Sequence, residues 1–480
     1  MNHSSSRSYD FLWLSLALLF LLPIAFFLSI TPHDYWFYVR IGKDILQTGA
    51  IPTVDTFSYT YPGRPIFYQP WLSAVIFWLA HSTGGATLTF LLRGICIAGA
   101  YGLLWTLMRA AGAGTKLATL LLIFLGLSSS MNWSMRPQMF AYPLFAAILW
   151  VLWHWQNGRT KFIWILPLAS LLWANLHGSF VLAFVLMGLA LVFGTGDRKK
   201  LALWLGLSLA VTLINPRGFF VWGFVSDMLT SPSDQLFATE WRPPVNAGWQ
   251  MNLFFGWLLL FIPLVALSSR RLSLLEWVWF LSFGWLALSG LRYVIWFMFI
   301  MAILTGSLLS ELLKPFTRES IAENSRPIFN FVLGGILLLL PLMMLPEIRE
   351  SWWKDSPPAY HEATTPIAGT DWLAAHPELP GPLFAEYTFG SYLTFALPSR
   401  LLWIDNRFNA YPPEHWEKYQ AISSGGPRWA ELLDKDGVNL LLLSRHSQPS
   451  LIQAVEASNE WCEQYRDKEA VIFSRCEPIP

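Results

Sequence analysis

Residues 11–30 read FLWLSLALLFLLPIAFFLSI, twenty positions without a charge, and residues 32–46, PHDYWFYVRIGKDIL, then bring together an acid, a histidine and a dense aromatic group. About 20 apolar residues is the length an α-helix needs to cross a bilayer. The run exceeds the ~7–15 apolar residues of a signal peptide, and no small-x-small cleavage site follows Ile30, so it reads as a retained anchor. The rest of the chain agrees with that class. Its 480 residues are 54% hydrophobic and only 13% charged, against roughly a quarter charged in soluble proteins, and the mean hydropathy is +0.43. The 27 tryptophans suit a protein with two membrane interfaces, and a net charge of +1 gives no footprint for nucleic acid.

Comparable apolar runs begin at Phe11, Ala86, Leu117, Met139, Phe162, Phe180, Leu201, Met251, Leu274, Tyr293 and Ile328. They predict an all-α polytopic membrane bundle of about 11 transmembrane helices. The shorter apolar piece 71–81 ends in Ser-Thr-Gly-Gly and reads as a helix lying at the interface. With an odd number of spans the termini lie on opposite sides. One side collects Arg7, Arg109, Lys116, Arg159, Lys161, Arg198, Lys199, Lys200, Arg270, Arg271, Lys314, Arg318 and Arg326, mostly in short loops. The positive-inside rule makes that side, and the N-terminus, cytoplasmic. Residues 1–346 then form the transmembrane domain, with outer loops at 31–85 and 214–250, and 347–480 lie on the extracytoplasmic face.

In 347–480 charges become frequent and apolar runs shorten to strand length. PLFAEY, LLWIDN, NLLLLS, CEQYRD and AVIFSR read as strands, and the segments near Trp372, Trp416, Trp429 and Ile452 as helices, which together predict a C-terminal soluble α/β domain. No glycine-rich dinucleotide or P-loop pattern recommends it as a nucleotide site. Cys462 and Cys476 flank a hairpin and could pair across it in an oxidising compartment.

The unusual polar residues gather on the outer side: His33, Asp34, Asp55, Arg64, Arg136, Gln138, Asn175, His177, Asn215, Arg217, Glu240, Arg242 and Arg292. Ionisable groups converging at several helix ends point to a hydrated cavity opening outward. Asp34 reads either as the N-cap of a short helix that Gly49 closes, or as a general base or metal ligand walled by aromatics. Asp55, in IPTVDTFSY, reads first as loop chemistry and second as a catalytic acid. In SMRPQMF, Arg136 could hold an anionic headgroup at a helix start or merely snorkel, with Gln138 beside it. In WANLHGSF, Asn175 and His177 fall at one helix end, Gly178 turns the chain and Ser179 can cap the next span; His177 reads as a structural partner or as a group for proton transfer. Arg217 and Arg242 are phosphate-binding candidates, and Glu240 is an ion-pair partner or a second carboxylate. Arg93, about seven residues into a span, is a functional suspect unless a nearby acid pairs with it. Asp405 and Arg407 in LLWIDNRFNAY read as a turn salt bridge or a site at a strand end.

Taken together, an acid just after the first span, a long first outer loop, some eleven spans and an outer C-terminal domain resemble the GT-C superfamily of membrane glycosyltransferases. The strings HDYWFYVRIGKDILQTGAIPTVDTFSYTYPGRPI, RPQMF, WANLHGSF, NPRG, TEWRPP and LLWIDNRFNAY look like a bacterial group related to dolichyl-phosphate-mannose-protein mannosyltransferases. The resemblance implies transfer of a sugar from a polyprenyl-phosphate donor to a glycan, lipid or protein acceptor, in the bacterial inner membrane at the cell envelope. It makes Asp34 the base or metal partner, a divalent cation such as Mg or Mn the possible cofactor, and membrane lipids the surroundings. Asp55 and His177 are then further catalytic candidates. Arg93, Arg136, Arg217, Arg242 and Arg292 become candidates for the donor phosphate, with His33, Gln138, Asn175 and Glu240 as other site residues. The chain departs from the family pattern in one respect: Tyr35 follows Asp34, with no adjacent second acid. That leaves a non-catalytic scaffold or a different acceptor chemistry open. A transporter or flippase for a lipid-linked sugar is the other alternative, against which stand the missing internal repeat and the one-sided polar residues.

Overall fold

The computed structural model describes residues 3–314, 326–353 and 360–476. Arg318 of the cytoplasmic set, and parts of the expected C-terminal domain at 354–359 and 477–480, lie outside the described residues. The chain divides into two compact units. One comprises Met1–Leu28, Gly84–Val225 and Thr239–Pro358; the other comprises Ser29–Thr83, Ser226–Ala238 and Ala359–Pro480.

The first unit is helical because its sequence is: long uncharged runs leave the backbone no better partner than itself. Each of the eleven apolar segments contains a helix, from His3–Phe27 through Thr115–Ser129, Gln138–Gln156, Ile165–Leu176 and Val181–Phe193 to Pro327–Leu339. Six described helices are long and apolar enough to cross a membrane: Arg7–Phe27, Trp71–Ala110, Thr115–Asn132, Trp249–Leu267, Leu291–Leu313 and Pro327–Met344. Others are apolar but shorter, such as Ile165–Leu176 and Leu274–Ser289. Leu291–Leu313 is the central one, 83% buried over its apolar window against 11% for Pro327–Met344, as an all-round hydrophobic helix inside a bundle should be. Trp71–Ala110 is broken at Gly84 and Gly85, where the sequence carries its Ser-Thr-Gly-Gly signal. Gly85 sits at φ 55, ψ −143, a conformation that glycine alone adopts without strain.

The second unit is built on a four-stranded sheet, β1 (Leu383–Ala385), β2 (Leu440–Ser444), β3 (Trp461–Arg466) and β4 (Ala470–Arg475), in the order β1-β2-β4-β3. β1 runs parallel to β2, and the other pairs are antiparallel. Every residue of β2 is buried, because helices Ile367–Ala375, Pro413–Ser423, Trp429–Lys435 and Pro449–Glu456 give the unit layers to bury it in. Cys462 and Cys476 are disulfide-bonded across the β3–β4 hairpin, Cα atoms 5.0 Å apart. LLWIDN is not the fifth strand that its composition suggests. Only Leu402 makes bridges, to Ser58 and to Leu383, and the following residues leave the ladder to enter the ion-pair turn described below.

The first loop is part of this second unit. Its helix Tyr35–Thr48 ends as expected at Gly49, φ 70, whose N–H donates to Ile45 O. One face, Phe37, Ile41 and Ile45, packs against Phe57, Tyr68 and Ala74.

Candidate functional site

Asp34 stands at the N-cap position of helix Tyr35–Thr48 but makes no side-chain capping bond. A capping Asp accepts from the second or third helical N–H. Here the third, Phe37 N–H, donates instead to Ser391 Oγ at 2.8 Å. Asn406 Nδ2 donates to Asp34 Oδ1 at 2.8 Å. The backbone at Asp34 has φ 65 and ψ −70, and Tyr35 N–H closes a three-residue turn onto His33 O at 2.9 Å. This is the strained hand of the γ-turn. Among the described residues Asp34 is the one non-glycine at positive φ. Such strain costs on the order of 1–3 kcal/mol and persists only where surrounding structure imposes it.

Asn406 lies between the two residues that build a buried ionic clasp. Arg407 donates to both oxygens of Asp405, from Nε to Oδ1 at 2.8 Å and from Nη2 to Oδ2 at 2.5 Å. Its Nη1 reaches Asp55 Oδ1 at 2.8 Å. Tyr411 OH adds a bond to Asp405 Oδ2 at 3.0 Å, and the guanidinium lies over the Phe37 and Phe57 rings at 5.1 and 5.3 Å. Gly390 is required beside it, since a Cβ there would stand 2.5 Å from Asp405 Cβ. Asp55 is thus drawn into a structural pair; its Oδ1 also accepts from Phe57 N–H at 3.1 Å. Asn406, flanked by the clasp residues, had no sequence signal beyond lying in that turn. Burial, then Glu386 and Asp34, push the Tyr387 phenol up to about 12.

A second polar cluster forms within the helical unit. Arg136 Nη1 donates to Glu240 Oε2 at 2.9 Å, and Arg292 Nη1 lies 3.5 Å from Glu240 Oε1. Arg292 also stacks over the Trp241 ring at 4.3 Å. Burial pushes the Glu240 carboxyl up, but Arg292, Arg136 and His177 outweigh it and hold it below the ordinary value. His177 sits in the link after helix Ile165–Leu176, and its Nδ1 accepts from Ser179 N–H at 3.1 Å and lies 2.7 Å from Ser179 Oγ. The ring, not Ser179, therefore does the capping there, because the chain re-enters through the short turn Gly178–Phe180. Ser179 Oγ is itself held by Trp173 Nε1 at 3.1 Å. With Nδ1 accepting, the neutral imidazole carries its proton on Nε2 and presents a donor rather than a base.

Burial, then Arg292, push His177 down to about 3. A histidine that refuses a proton in the fold but takes one at about 6.5 when unfolded gives stability that is full above pH 6.5 and is lost as pH falls towards 3. We expect the thermal midpoint of the wild type to decline from pH 6.5 to pH 4, and His177→Gln to decline less over that interval. Equal slopes in a pH series of melting curves would exclude the effect.

The remaining candidates are dispersed. Arg93 is fully buried and pairs with no acid among the described residues; its Nη2 donates to Leu28 O and its guanidinium lies 4.5 Å from the Phe90 ring centroid. Asn175 Nδ2 donates to Leu171 O and Ile214 O, both at 2.9 Å. Arg217 N–H donates to Asn215 Oδ1 at 2.7 Å, closing an Asx turn. Arg242 is exposed, and its carbonyl accepts from Leu291 N–H at 2.9 Å. His33 contributes its carbonyl to the γ-turn, and Gln138 opens helix Gln138–Gln156. Among the described residues no three His, Cys, Asp or Glu side chains converge as ligands for a divalent cation.

No protein-family model matches the chain, and no curated protein matches its sequence. Solved structures do. Archaeal oligosaccharyltransferase AglB from Archaeoglobus fulgidus, in complex with an inhibitory peptide and a dolichol-phosphate, aligns with TM-score 0.60 and 12% identity over 99% of this chain and 75% of that one. ArnT from Cupriavidus metallidurans bound to undecaprenyl phosphate aligns with TM-score 0.50 and 15% identity over 97% of both chains. Arabinofuranosyltransferase AftD from Mycobacteria aligns with TM-score 0.57 and 15% identity over 96% of this chain and 41% of that one. The chain shares the fold of these three transferases.

Proposed function

We propose, from that shared fold, that the protein is a membrane glycosyltransferase that moves a sugar from a polyprenyl-phosphate-linked donor to an extracytoplasmic acceptor, with Asp34 as general base. The observation that carries the role of Asp34 is its release from capping: Ser391 takes the amide that an N-cap aspartate would take, while the carboxylate is kept on a strained turn. Strain of that kind is a pointer to function. In the reaction Asp34 takes the proton of an acceptor hydroxyl. The oxygen forms a bond to the anomeric carbon, the bond from that carbon to the phosphate oxygen breaks, and its electron pair leaves with the polyprenyl phosphate. The anomeric configuration inverts. No step is routed through a cation.

In this reading Arg136 and Arg292 are the leading candidates to meet charge on the departing phosphate, each able to offer a guanidinium fork, with Arg217, Arg242 and Arg93 behind them. Glu240 fixes the first two in the free protein. Eleven spans in a bacterial inner membrane, a cytoplasmic N-terminus, a transmembrane domain over 1–346 and an extracytoplasmic domain over 347–480 complete the proposal. The donor and membrane lipids are the partners, and the acceptor is a glycan, lipid or protein.

The test is reconstitution of the full chain in proteoliposomes with undecaprenyl-phosphate-linked hexoses and pentoses labelled in the sugar, and an envelope glycan and lipid extract as acceptor. Label moving to the extract with release of undecaprenyl phosphate is the expected result. Facilitated movement of labelled donor between leaflets without transfer would favour a flippase instead.

A further inference from the structure

We infer that Asn406 is a positioning residue for Asp34, held in place by the Arg407 clasp; this rests on Asp34 acting as the base. The argument begins with the amide. Only its N–H end can serve a carboxylate, and Nδ2 does so at 2.8 Å. The cost falls on the other end: Asn406 Oδ1 is buried with no hydrogen-bond partner among the described residues. Buried polar atoms are nearly always paired, and an asparagine serving only its own turn would turn its amide to satisfy both ends. Asn406 instead gives up its acceptor to keep a donor on Asp34.

Its two neighbours explain how it is held there. Asp405 and Arg407 are locked to each other through two parallel bonds, and Arg407 is tied across to Asp55 in the first loop. Residue 406 therefore has little freedom to move away. Asp34 is fixed from its own side by the γ-turn and by Ser391, which anchors the helix that follows. The donor and acceptor are each mounted on a rigid support before any substrate arrives, which is the arrangement that keeps a catalytic group within reach of its productive geometry.

The experiment uses the full-length protein labelled with 13C-aspartate in lipid nanodiscs. Infrared difference spectroscopy identifies the Asp34 carboxylate band as the one missing from Asp34→Asn. In Asn406→Ala that band should shift in frequency as the amide donor is lost, with an unchanged thermal midpoint. Asn406→Gln, which keeps an amide donor, should recover part of that shift. In the transfer assay Asn406→Ala should lower kcat by about tenfold with KM little changed. An Asp34 band that does not move in Asn406→Ala overturns the inference. If the wild type transfers no sugar, the base role fails, but the infrared band still decides whether Asn406 holds the carboxylate.

Discussion

Asp34→Asn should leave the protein folded and lower sugar transfer by about 10²–10⁴-fold, the usual contribution of a positioned general base. The substitution is close to isosteric, so the γ-turn and the packing of helix Tyr35–Thr48 stay available to it, and asparagine tolerates positive φ better than most residues. What it removes is the proton acceptor. It also sets an amide against the Nδ2 of Asn406, which the new side chain can meet by offering its own oxygen. The measurement is initial transfer rate in proteoliposomes beside a melting curve of the same preparation. Turnover within a few-fold of wild type, with an unchanged melt, would remove Asp34 from the mechanism.

The largest effect on stability is expected at Arg407. Replacing it with Met keeps apolar bulk over Phe37 and Phe57 but leaves Asp405 and Asp55, both buried, without their cation. Breaking a buried pair from one side costs about 3–5 kcal/mol. Tyr411 still serves Asp405 and Phe57 N–H still serves Asp55, so Asp405, which loses the two parallel bonds, bears more of the loss. Arg407→Lys should fall between the two, since an ammonium cannot make the two parallel bonds that Nε and Nη2 make. Thermal unfolding monitored by limited proteolysis of the region 360–476 reads the order wild type, Lys, Met. A Met variant as stable as the wild type would show that the clasp is incidental.

These two residues mark where the sequence could be read and where it could not. The helical segments were legible because twenty uncharged residues have few other ways to satisfy their backbone, and Gly49 was legible because a helix end needs a residue at positive φ. Asp34 was visible as an acid at the end of a span, but its choice between capping and chemistry was not. That choice turns on Ser391 and Asn406, 354 residues beyond Phe37 and 372 beyond Asp34 respectively. Neither carries a local signal: a serine in the first turn of a short helix and an asparagine in a turn are ordinary. The Glu240 cluster was legible as residue types at three separate links, but not as a pairing, because Arg136 and Arg292 could each have met solvent or a headgroup. LLWIDN misled for a related reason. Its apolar run is real, but only Leu402 is paired, through isolated bridges to Ser58 and Leu383 rather than a ladder.

The tie between Asp55 and Arg407, 352 residues apart, also sets a schedule for the growing chain. At about 5–20 residues per second of synthesis, roughly 20–70 seconds pass between the emergence of the two. For that interval the first loop exists with none of Ser391, Asn406 or Arg407 yet made. The carboxylate has no mount, the γ-turn has nothing to enforce it, and Asp55 has no cation. A chain that stops before residue 391 therefore has a first loop with none of Ser391, Asn406 or Arg407 to hold it. The geometry of that loop is set only when the last quarter of the message has been read.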